Sequence, residues 1–518
     1  MNGRPGRFYA LIAGGLLIAL AVLLIATGDP WLSWSGDSAM YLMHARNLVE
    51  GAAYNATGYI QNPNAYLAPQ AYPPGFPLVL VPVYALTGLH IGALKIYATL
   101  LFVLAIGAFA GLVRRDLGAM HLGNWAWLGL MPLIGANPLL SGYACSLYSD
   151  GFFLLTVYAA LWATEAVYRR YAAQAPTLVL AILAGGLIGF CAITRVFGLL
   201  LFVSIVLFEL LRYQRPTPAG LQVLVSGMAV YAIATAAIAR DSIAIDSGSH
   251  QGYGHLLTTD LLTHATQLPA TIFNNIVAYI EYSSRYLILE LPWGAPARLT
   301  NFSLAITLAV LLLGLVGYIA CVRRRLTVRD LFCVIYLLGL LPWMATNARY
   351  LMPVIPLLFF YVVVGIHALA RRPGLFTAVL GILLVICAGT YTGRYIRYAH
   401  TDLGQDLRAA NSQPAEALYD YIRRHTDRDA VFVFSRPRVL ALFTQRSAVT
   451  YRDAMNPMPP DPQMFDLMDR TQASYLLDAG LADHTQVAAL VARHPERLRL
   501  VYRSGPFRLY RRLDTTGS

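Results

Sequence analysis

Long apolar runs, separated by short polar segments, dominate the chain. A run of roughly 20 apolar residues can cross the hydrocarbon core of a bilayer as a helix. About eleven runs approach this length, and two neighbouring pairs are divided by tight polar turns at Thr194–Arg195 and Asn347–Arg349. The predicted spans are 8–27, 92–113, 122–140, 147–168, 177–194, 196–211, 219–239, 301–322, 330–346, 350–370 and 375–394.

Three longer polar regions interrupt this pattern. The first, 28–91, holds "SWSGDSAMYLMHARNLVEGAAY", which predicts an amphipathic helix starting at Asp37 and ending at Gly51. Its "YPPGFP" stretch predicts a rigid turn that leads into a short apolar helix over 78–87. The second region, 240–300, is rich in Gly and His at first and then amphipathic.

The third polar region, 396–518, alternates short apolar pieces with helical patterns. The pieces "AVFVF", "SAVTY", "ASYLLD", "LRLVYR" and "FRLYRR" read as strands, and "PAEALYDYIRRH" and "HTQVAALVARH" read as helices. We therefore predict an all-α polytopic membrane domain of about 11 transmembrane helices over 1–395, including loops 28–91 and 240–300. A small α/β extracytoplasmic domain follows over 396–518.

Composition and charge agree with a membrane protein. Of 518 residues, 57% are hydrophobic and 13% are charged, whereas soluble proteins average about 25% charged. The net charge of +12 comes almost wholly from arginines in short loops, which fits the positive-inside rule and argues against nucleic-acid binding. The predicted cytoplasmic loops contain Arg114–Arg115, Arg169–Arg170, Arg212–Arg215, Arg323–Arg329 and Arg371–Arg372.

The order of the basic loops predicts the orientation in the membrane, and the positions of the cysteines predict their chemistry. Arg4 and Arg7 place the N-terminus in the cytoplasm, and an odd number of spans then places the C-terminal domain outside. The five cysteines lie in or beside apolar runs, without the spacing of a disulfide framework or a zinc site. No metal site is predicted.

The first outside loop carries the leading candidate for chemistry. In a helix that starts at Asp37, the side chains of Asp37, Tyr41 and His44 share one face. Asp37 could serve as a general base or only as a helix cap. His44 could contact substrate or be an interfacial polar residue, and Tyr41 could contact substrate or only pack.

Further polar residues collect at the outer side of the predicted topology. Asp150, in "SLYSDGFF", could be a second catalytic acid or a helix cap. The cations could bind an anionic lipid head group or could extend to the membrane interface. The candidate substrate-binding residues are Tyr41, His44, Lys95, Arg195, His255, Arg349 and Tyr350.

The order of these motifs resembles a known family. "GDSAMYLMHARNLVEGAAY", "YPPGFPLVLVPVYALTG", "SLYSD", "TRVFG" and "ARYLMPVIPLL" follow one another in this chain. In this order they resemble the motifs of bacterial membrane glycosyltransferases of the GT-C superfamily. The chain is most similar to the group that contains protein O-mannosyltransferases and lipid A aminoarabinose transferases. The resemblance covers most of the chain, including an outside α/β domain at its C-terminal end.

The resemblance implies a mechanism and a set of partners. The donor is a polyprenyl-phosphate sugar at the outer leaflet of the cytoplasmic membrane, and a lipid, glycan or protein hydroxyl is the acceptor. Asp37 takes the place of the family's catalytic base, Asp150 that of a second acid, and Arg195 and Arg349 those of phosphate ligands. Ser38 stands where some relatives have a Glu after the Asp, which argues against protein acceptors and a first-loop metal site, although a divalent metal remains open.

The sequence is also compatible with three other functions. A transporter or flippase of a lipid-linked glycan would carry polar residues near the middle of its spans and often has repeated halves. A glycan ligase would use a diphosphate-linked donor. A membrane scaffold without catalytic activity would need none of the candidate residues.

Overall fold

The structure is a computed structural model that describes most of the chain. The described residues are 23, 30–62, 71–120, 123–242, 265–289, 296–343, 346–370, 372–399, 409–451, 459–480 and 484–513. The predicted first span, 8–27, and the candidate His255 therefore lie outside the described residues, apart from Leu23.

The described residues divide into two compact units. The helical unit contains 93–237 and 265–399, and the sheet unit contains 30–92, 238–242 and 409–513. The sheet unit thus includes the first outside loop, which the sequence prediction had assigned to the membrane domain. Residues 265–289 and 296–300, which come from the second polar region, belong to the helical unit.

The first loop forms two helices and a short strand. Helix α1 (Gly36–Glu50) ends at Gly51, which has φ of 67° and donates its N–H to the Asn47 carbonyl. Strand β1 (Tyr59–Ile60) follows, and helix α2 (Gly75–Thr87) begins directly after the two prolines of "YPPGFP". The left-handed backbone at Gly51 suits a residue without a Cβ, so the predicted end of α1 is confirmed.

Twelve α-helices follow in the described part of the chain. They are α3 (Ile91–Ala119), α4 (Gly123–Gly135), α5 (Pro138–Ala144), α6 (Asp150–Ala172), α7 (Leu178–Thr194), α8 (Leu200–Tyr213), α9 (Pro218–Arg240), α10 (Leu268–Tyr286), α11 (Ala297–Arg324), α12 (Val328–Leu340), α13 (Ile355–Leu369) and α14 (Pro373–Ala399). Among the described residues, six helical segments are long and apolar enough to cross a membrane. The protein is therefore a multi-pass membrane protein.

Every predicted span from residue 92 onward coincides with helical structure. The predicted span 122–140 is divided into α4 and α5 at Asn137, whose side-chain oxygen accepts the N–H groups of Leu139 and Leu140. The span count of eleven is not established, because several of these helices are shorter than a bilayer requires.

Glycines allow two membrane helices to pack with their backbones in contact. A Cβ on Gly317 of α11 would lie 1.8 Å from the Tyr361 carbonyl oxygen of α13. A Cβ on Gly365 would lie 2.0 Å from the Leu313 carbonyl oxygen. Small residues are the usual means by which helices approach this closely in membranes.

The C-terminal segment forms the rest of the sheet unit. Its strands are β2 (Val431–Val433), β3 (Ser447–Val449), β4 (Ala473–Asp478), β5 (Leu498–Ser504) and β6 (Phe507–Arg512). Its helices are α15 (Gln413–His425), α16 (Pro437–Thr444), α17 (Asp461–Arg470) and α18 (His484–Arg493). All five strands and both helices predicted here are confirmed, whereas α16 and α17 were not predicted.

The six strands form one mixed sheet in the order β1-β3-β2-β4-β6-β5. The pairs β1–β3, β3–β2 and β2–β4 are parallel, and β4–β6 and β6–β5 are antiparallel. Tyr59 and Ile60 pair with Ala448 and Val449, so the first loop supplies an edge strand to the C-terminal sheet. Ile60 also packs against the buried cluster that contains Val449 and Met464.

Candidate active site

Asp37 lies in the first turn of α1, and its carboxylate contacts two polar side chains. It is the second residue of the helix, and Ser35 holds the N-cap position, so Asp37 is not the N-cap. Its Oδ1 accepts a 2.7 Å hydrogen bond from the Tyr72 hydroxyl and lies 3.7 Å from Nη1 of Arg438. The Asp37 side chain is 21% exposed, whereas that of Arg438 is 4% exposed.

Arg438 reaches this carboxylate from α16. Its Nη1 donates a 2.7 Å hydrogen bond to the Tyr72 hydroxyl, which in turn donates to Asp37. The guanidinium carbon lies 4.6 Å from the Tyr59 ring centroid and 5.3 Å from that of Tyr72. The result is a hydrogen-bonded relay from Arg438 through Tyr72 to Asp37, which we call the clasp.

His44 fixes the backbone that carries Tyr72. The ring is fully buried, its Nδ1 lies 2.8 Å from the Tyr54 carbonyl oxygen, and its Nε2 accepts the Tyr72 N–H at 3.1 Å. Since Nε2 accepts, Nδ1 carries the proton and the ring is neutral. Burial lowers the pKa of His44 to about 4, with a further lowering by the charge of Arg438. His44 therefore positions Tyr72 and has no ring nitrogen left for a substrate.

Tyr41 packs beside the same residues. Its ring meets the rings of Tyr72 and Phe76 edge to face, at centroid distances of 5.2 and 5.1 Å. Tyr41 is 7% exposed, so it supports the clasp from the α1 side. Asp37, Tyr41 and His44 thus do come together, as their spacing predicted.

The helical unit holds a second polar cluster, at breaks between its helices. Asp150 opens α6 and is 3% exposed, and Arg195 follows α7 directly with an extended backbone. Oδ1 of Asp150 accepts a hydrogen bond from Nη1 of Arg195, and the two form an ion pair. The Arg195 guanidinium also lies 5.7 Å from the Phe153 ring centroid and 5.5 Å from that of Tyr350.

Arg349 joins this cluster through a short 3₁₀ turn. Asn347 caps the turn Ala348–Leu351, and its side-chain oxygen accepts the Arg349 N–H at 3.0 Å. The Arg349 guanidinium lies 5.5 Å from the ring centroids of both Tyr148 and Tyr350. The structure thus brings Asp150, Arg195, Arg349 and Tyr350 together.

Lys95 lies near the start of α3, in the helical unit. It is 5% exposed, and its backbone carbonyl accepts the Thr99 hydroxyl at 2.9 Å. Its role as a substrate contact stays a prediction.

Sequence reasoning missed Tyr72 and Arg438. Tyr72 stands next to the two prolines that fix the turn before α2, and that fixed backbone was a usable signal. Arg438 follows the carboxyl end of the parallel strand β2, where binding residues collect in α/β sheets. Its approach to α1 depends on Gly36, where a Cβ would lie 3.0 Å from Cδ of Arg438.

The described residues do not fit a metal site. Across the described ranges, no three His, Cys, Asp or Glu side chains come close enough to hold an ion. Each of the two candidate carboxylates has an arginine beside it, Arg195 next to Asp150 and Arg438 next to Asp37. We therefore route no step of the reaction through a metal.

The chain matches solved structures over nearly its full length. ArnT from Cupriavidus metallidurans in the apo state aligns with a TM-score of 0.55 and 14% identity, over 98% of both chains. An Archaeoglobus fulgidus oligosaccharyltransferase structure with Zn and sulfate aligns with a TM-score of 0.59 and 12% identity, over 92% of this chain and 69% of that one. Archaeal AglB in complex with an inhibitory peptide and a dolichol-phosphate gives 0.54 and 11%, over 93% and 71%.

These alignments establish the fold. At 11–14% identity they show that this chain shares the fold of ArnT and of the archaeal oligosaccharyltransferase, so the resemblance seen in the sequence is confirmed at the level of the fold. No protein-family model matches the chain, and no curated protein matches it.

Proposed function

We propose that the protein is an inverting glycosyltransferase of the outer face of the cytoplasmic membrane. It moves a sugar from a polyprenyl-phosphate donor to a hydroxyl group of a lipid, glycan or protein acceptor. The GT-C fold supports this class of reaction, and the AglB structure contains a dolichol-phosphate, which is a phosphate of this chemical type. The proposal places the C-terminal sheet outside the membrane.

The clasped carboxylate of Asp37 is the observation that carries the proposal. A general base must be ionised, accessible to the proton it takes, and held in one orientation. Asp37 is partly exposed while Tyr72 and Arg438, which hold it, are buried. An exposed surface aspartate would have neither partner, and a plain helix cap would bond to backbone N–H groups instead.

The reaction then follows from simple displacement chemistry. Asp37 takes the proton of the acceptor hydroxyl as the acceptor oxygen attacks the anomeric carbon of the sugar. The bond from that carbon to the phosphate oxygen breaks, and its electron pair leaves with the polyprenyl phosphate. Because attack and departure occur on opposite faces, the anomeric configuration inverts. Polyprenyl phosphate is a good leaving group, so the site needs no strong general acid.

We assign the phosphate to the arginines of the helical unit. The donor phosphate carries one negative charge and the released phosphate carries about two, so fixed cations stabilise the transition state. Arg349 is the leading ligand, because its planar guanidinium can bind two phosphate oxygens and rests between two tyrosine rings. Asp150 offsets the charge of Arg195 and orients it, so Asp150 supports this cluster rather than acting as the base.

The first test compares wild type with Asp37→Asn in lipid nanodiscs. Each protein receives a panel of undecaprenyl-phosphate sugars and an envelope extract as a source of acceptors, and loss of sugar from the donor is measured. We expect the wild type to consume one donor, and Asp37→Asn to bind that donor with turnover lowered about 10²–10⁴-fold.

The matched control is Asp466→Asn, the same change in an exposed ion pair of α17. Such surface pairs contribute little, so its turnover should equal that of the wild type. Equal turnover by Asp37→Asn would remove Asp37 from the mechanism. Movement of a donor across the bilayer with its sugar intact would favour the transporter, and consumption of a diphosphate-linked donor alone would favour the ligase.

A further inference from the structure

We infer that Arg438, which belongs to the C-terminal segment, is a positioning residue for Asp37 and acts on it through the Tyr72 hydroxyl. The inference rests on the proposed function, since it gives Asp37 the role of base. It assigns to the C-terminal segment a direct part in the reaction, because its helix α16 supplies the charge that keeps the Asp37 carboxylate ionised.

The geometry of the clasp supports action through Tyr72. Nη1 of Arg438 and Oδ1 of Asp37 are 3.7 Å apart, which is beyond a direct hydrogen bond, and the tyrosine oxygen lies 2.7 Å from each. Donation from the cationic arginine makes the hydroxyl a stronger donor to the carboxylate, because linked hydrogen bonds polarise one another. Tyr72 thereby holds Oδ1 in place.

Each member of the clasp is fixed by further contacts. The backbone N–H of Tyr72 donates to His44, and its carbonyl accepts the Tyr54 hydroxyl at 2.7 Å. The Arg438 side chain lies against the Tyr59 ring of β1 and is almost wholly buried. An arginine held in this way keeps its orientation without a substrate, which is the preorganisation that a base needs.

Electrostatics give the clasp its effect on the reaction. A carboxylate that is four-fifths buried would favour its neutral form, which cannot take a proton, and an adjacent cation reverses that preference. In the described part of the chain, the titratable groups of the clasp and its supports are Tyr41 and His44 on α1, Tyr72 before α2, Tyr59 on β1 and Arg438 on α16. His44 is neutral and the tyrosines are uncharged at neutral pH, so Arg438 supplies the positive charge of this group.

The experiment measures turnover of the donor that the wild type consumes, over a range of pH, in full-length protein. We expect Arg438→Met to lower kcat about 100-fold, while KM for the donor changes less than about threefold. The acid limb of its pH–rate profile should move at least about one unit to higher pH. Arg438→Lys keeps the charge without the planar fork and should recover part of kcat and return the acid limb towards its wild-type position.

Two further variants separate positioning from folding. Tyr72→Phe is nearly isosteric, removes the hydroxyl relay, and should lower kcat about tenfold even if Arg438→Met fails to fold. Arg446→Met is the matched control, because Arg446 is also a buried arginine next to α16 but donates to the carbonyls of Arg423, Thr426 and Thr444. It should affect stability and leave the pH profile unchanged.

The outcomes distinguish this inference from the proposed function. If the wild type consumes donor, and Arg438→Met and Tyr72→Phe keep the wild-type kcat and pH profile, the inference is wrong and the proposed function stands. An Arg446→Met profile that shifts as Arg438→Met does would also overturn it, because the effect would then come from folding. If the wild type consumes no donor, the proposed function fails and the inference fails with it.

Discussion

At the scale of the residue, His44 is the clearest case of a side chain whose role lies in the fold. Both ring nitrogens bond to backbone atoms, one from Tyr54 and one from Tyr72, and the ring stacks on Tyr54 at 4.1 Å. A protonated ring would have to donate from both nitrogens, and Nε2 would then face the Tyr72 N–H donor. The loop that carries the clasp is thus tied to one protonation state of His44.

This arrangement predicts a loss of stability in acid. The pKa of His44 is about 4 in the folded protein and about 6.5 when exposed, so the opened state gains a proton first as the pH falls. The opening free energy of residues 36–62 should be about 2 kcal/mol lower at about pH 5 than at neutral pH. Hydrogen exchange of these residues, corrected for the intrinsic effect of pH, measures this change.

His44→Gln provides the comparison. Glutamine can donate and accept hydrogen bonds but does not titrate. The opening free energy of residues 36–62 in this variant should therefore depend little on pH between about 6.5 and 5. If the opening free energy of the wild type does not fall with pH, or if that of His44→Gln falls equally, another group controls the acid response.

At the scale of the element, the glycine contact between α11 and α13 makes a quantitative test possible. Gly317→Leu would place side-chain atoms where the Tyr361 carbonyl lies, so the two helices must separate. We expect a loss of about 1–3 kcal/mol, the usual cost of overpacking, or failure to fold if the helices cannot separate. Thermal unfolding of both proteins in detergent measures this loss of stability.

Gly381→Leu is the control for this change. Gly381 lies in α14, and its Cβ position has no atom within 4 Å among the described residues. The same substitution there should change the unfolding temperature little. Equal losses at both positions would mean that leucine itself, rather than the contact with α13, is destabilising.

The sequence predicted elements whose pattern is local. The apolar runs located the helices from α3 to α14 apart from α10, and five short strands with two helices of the C-terminal segment were found by alternation. Asp150, Arg195 and Arg349 were found because each charge interrupts or ends an apolar run. Gly51 gave the end of α1 because a left-handed residue there favours glycine.

Long-range pairing explains what was missed. Strand β1 has two residues, Tyr59 and Ile60, and its pairing with β3 leaves no periodic signal. Arg438 and Tyr72 meet across 366 residues of sequence, which no local pattern encodes. The sequence left open whether His44 contacts substrate or is an interfacial polar residue, because burial of its ring depends on Tyr54 and Tyr72, which follow later in the loop.

At the scale of the whole molecule, the buried cysteines allow the proposed orientation to be tested. All five native cysteines are free and buried, so an exposed engineered cysteine would be labelled against a silent background. We expect a membrane-impermeant maleimide to label Arg499→Cys, in β5, from the outer side of intact right-side-out vesicles. Ala173→Cys, at the end of α6, should react only after the membrane is opened. Both positions are exposed.

Labelling of Ala173→Cys but not of Arg499→Cys in intact vesicles would show that the topology is the inverse of the proposed one. Labelling of both positions in intact vesicles would contradict any arrangement with the end of α6 and β5 on opposite sides. Donor turnover of the labelled proteins serves as the check that each variant is folded.

The edge strand donated by the first loop has a consequence for biosynthesis. Asn62 donates to the Thr450 carbonyl across 388 residues, and β1 pairs with β3 over a similar distance. At ribosomal speeds of about 5–20 residues per second, the loop emerges roughly 20–80 seconds before its partner strand exists. During that interval the nascent loop has an unpaired strand β1, and Asp37 and Tyr72 have no Arg438 to contact. The clasp is therefore completed last, after the chain of the membrane helices has been made, so a prematurely terminated chain has Asp37 without Arg438.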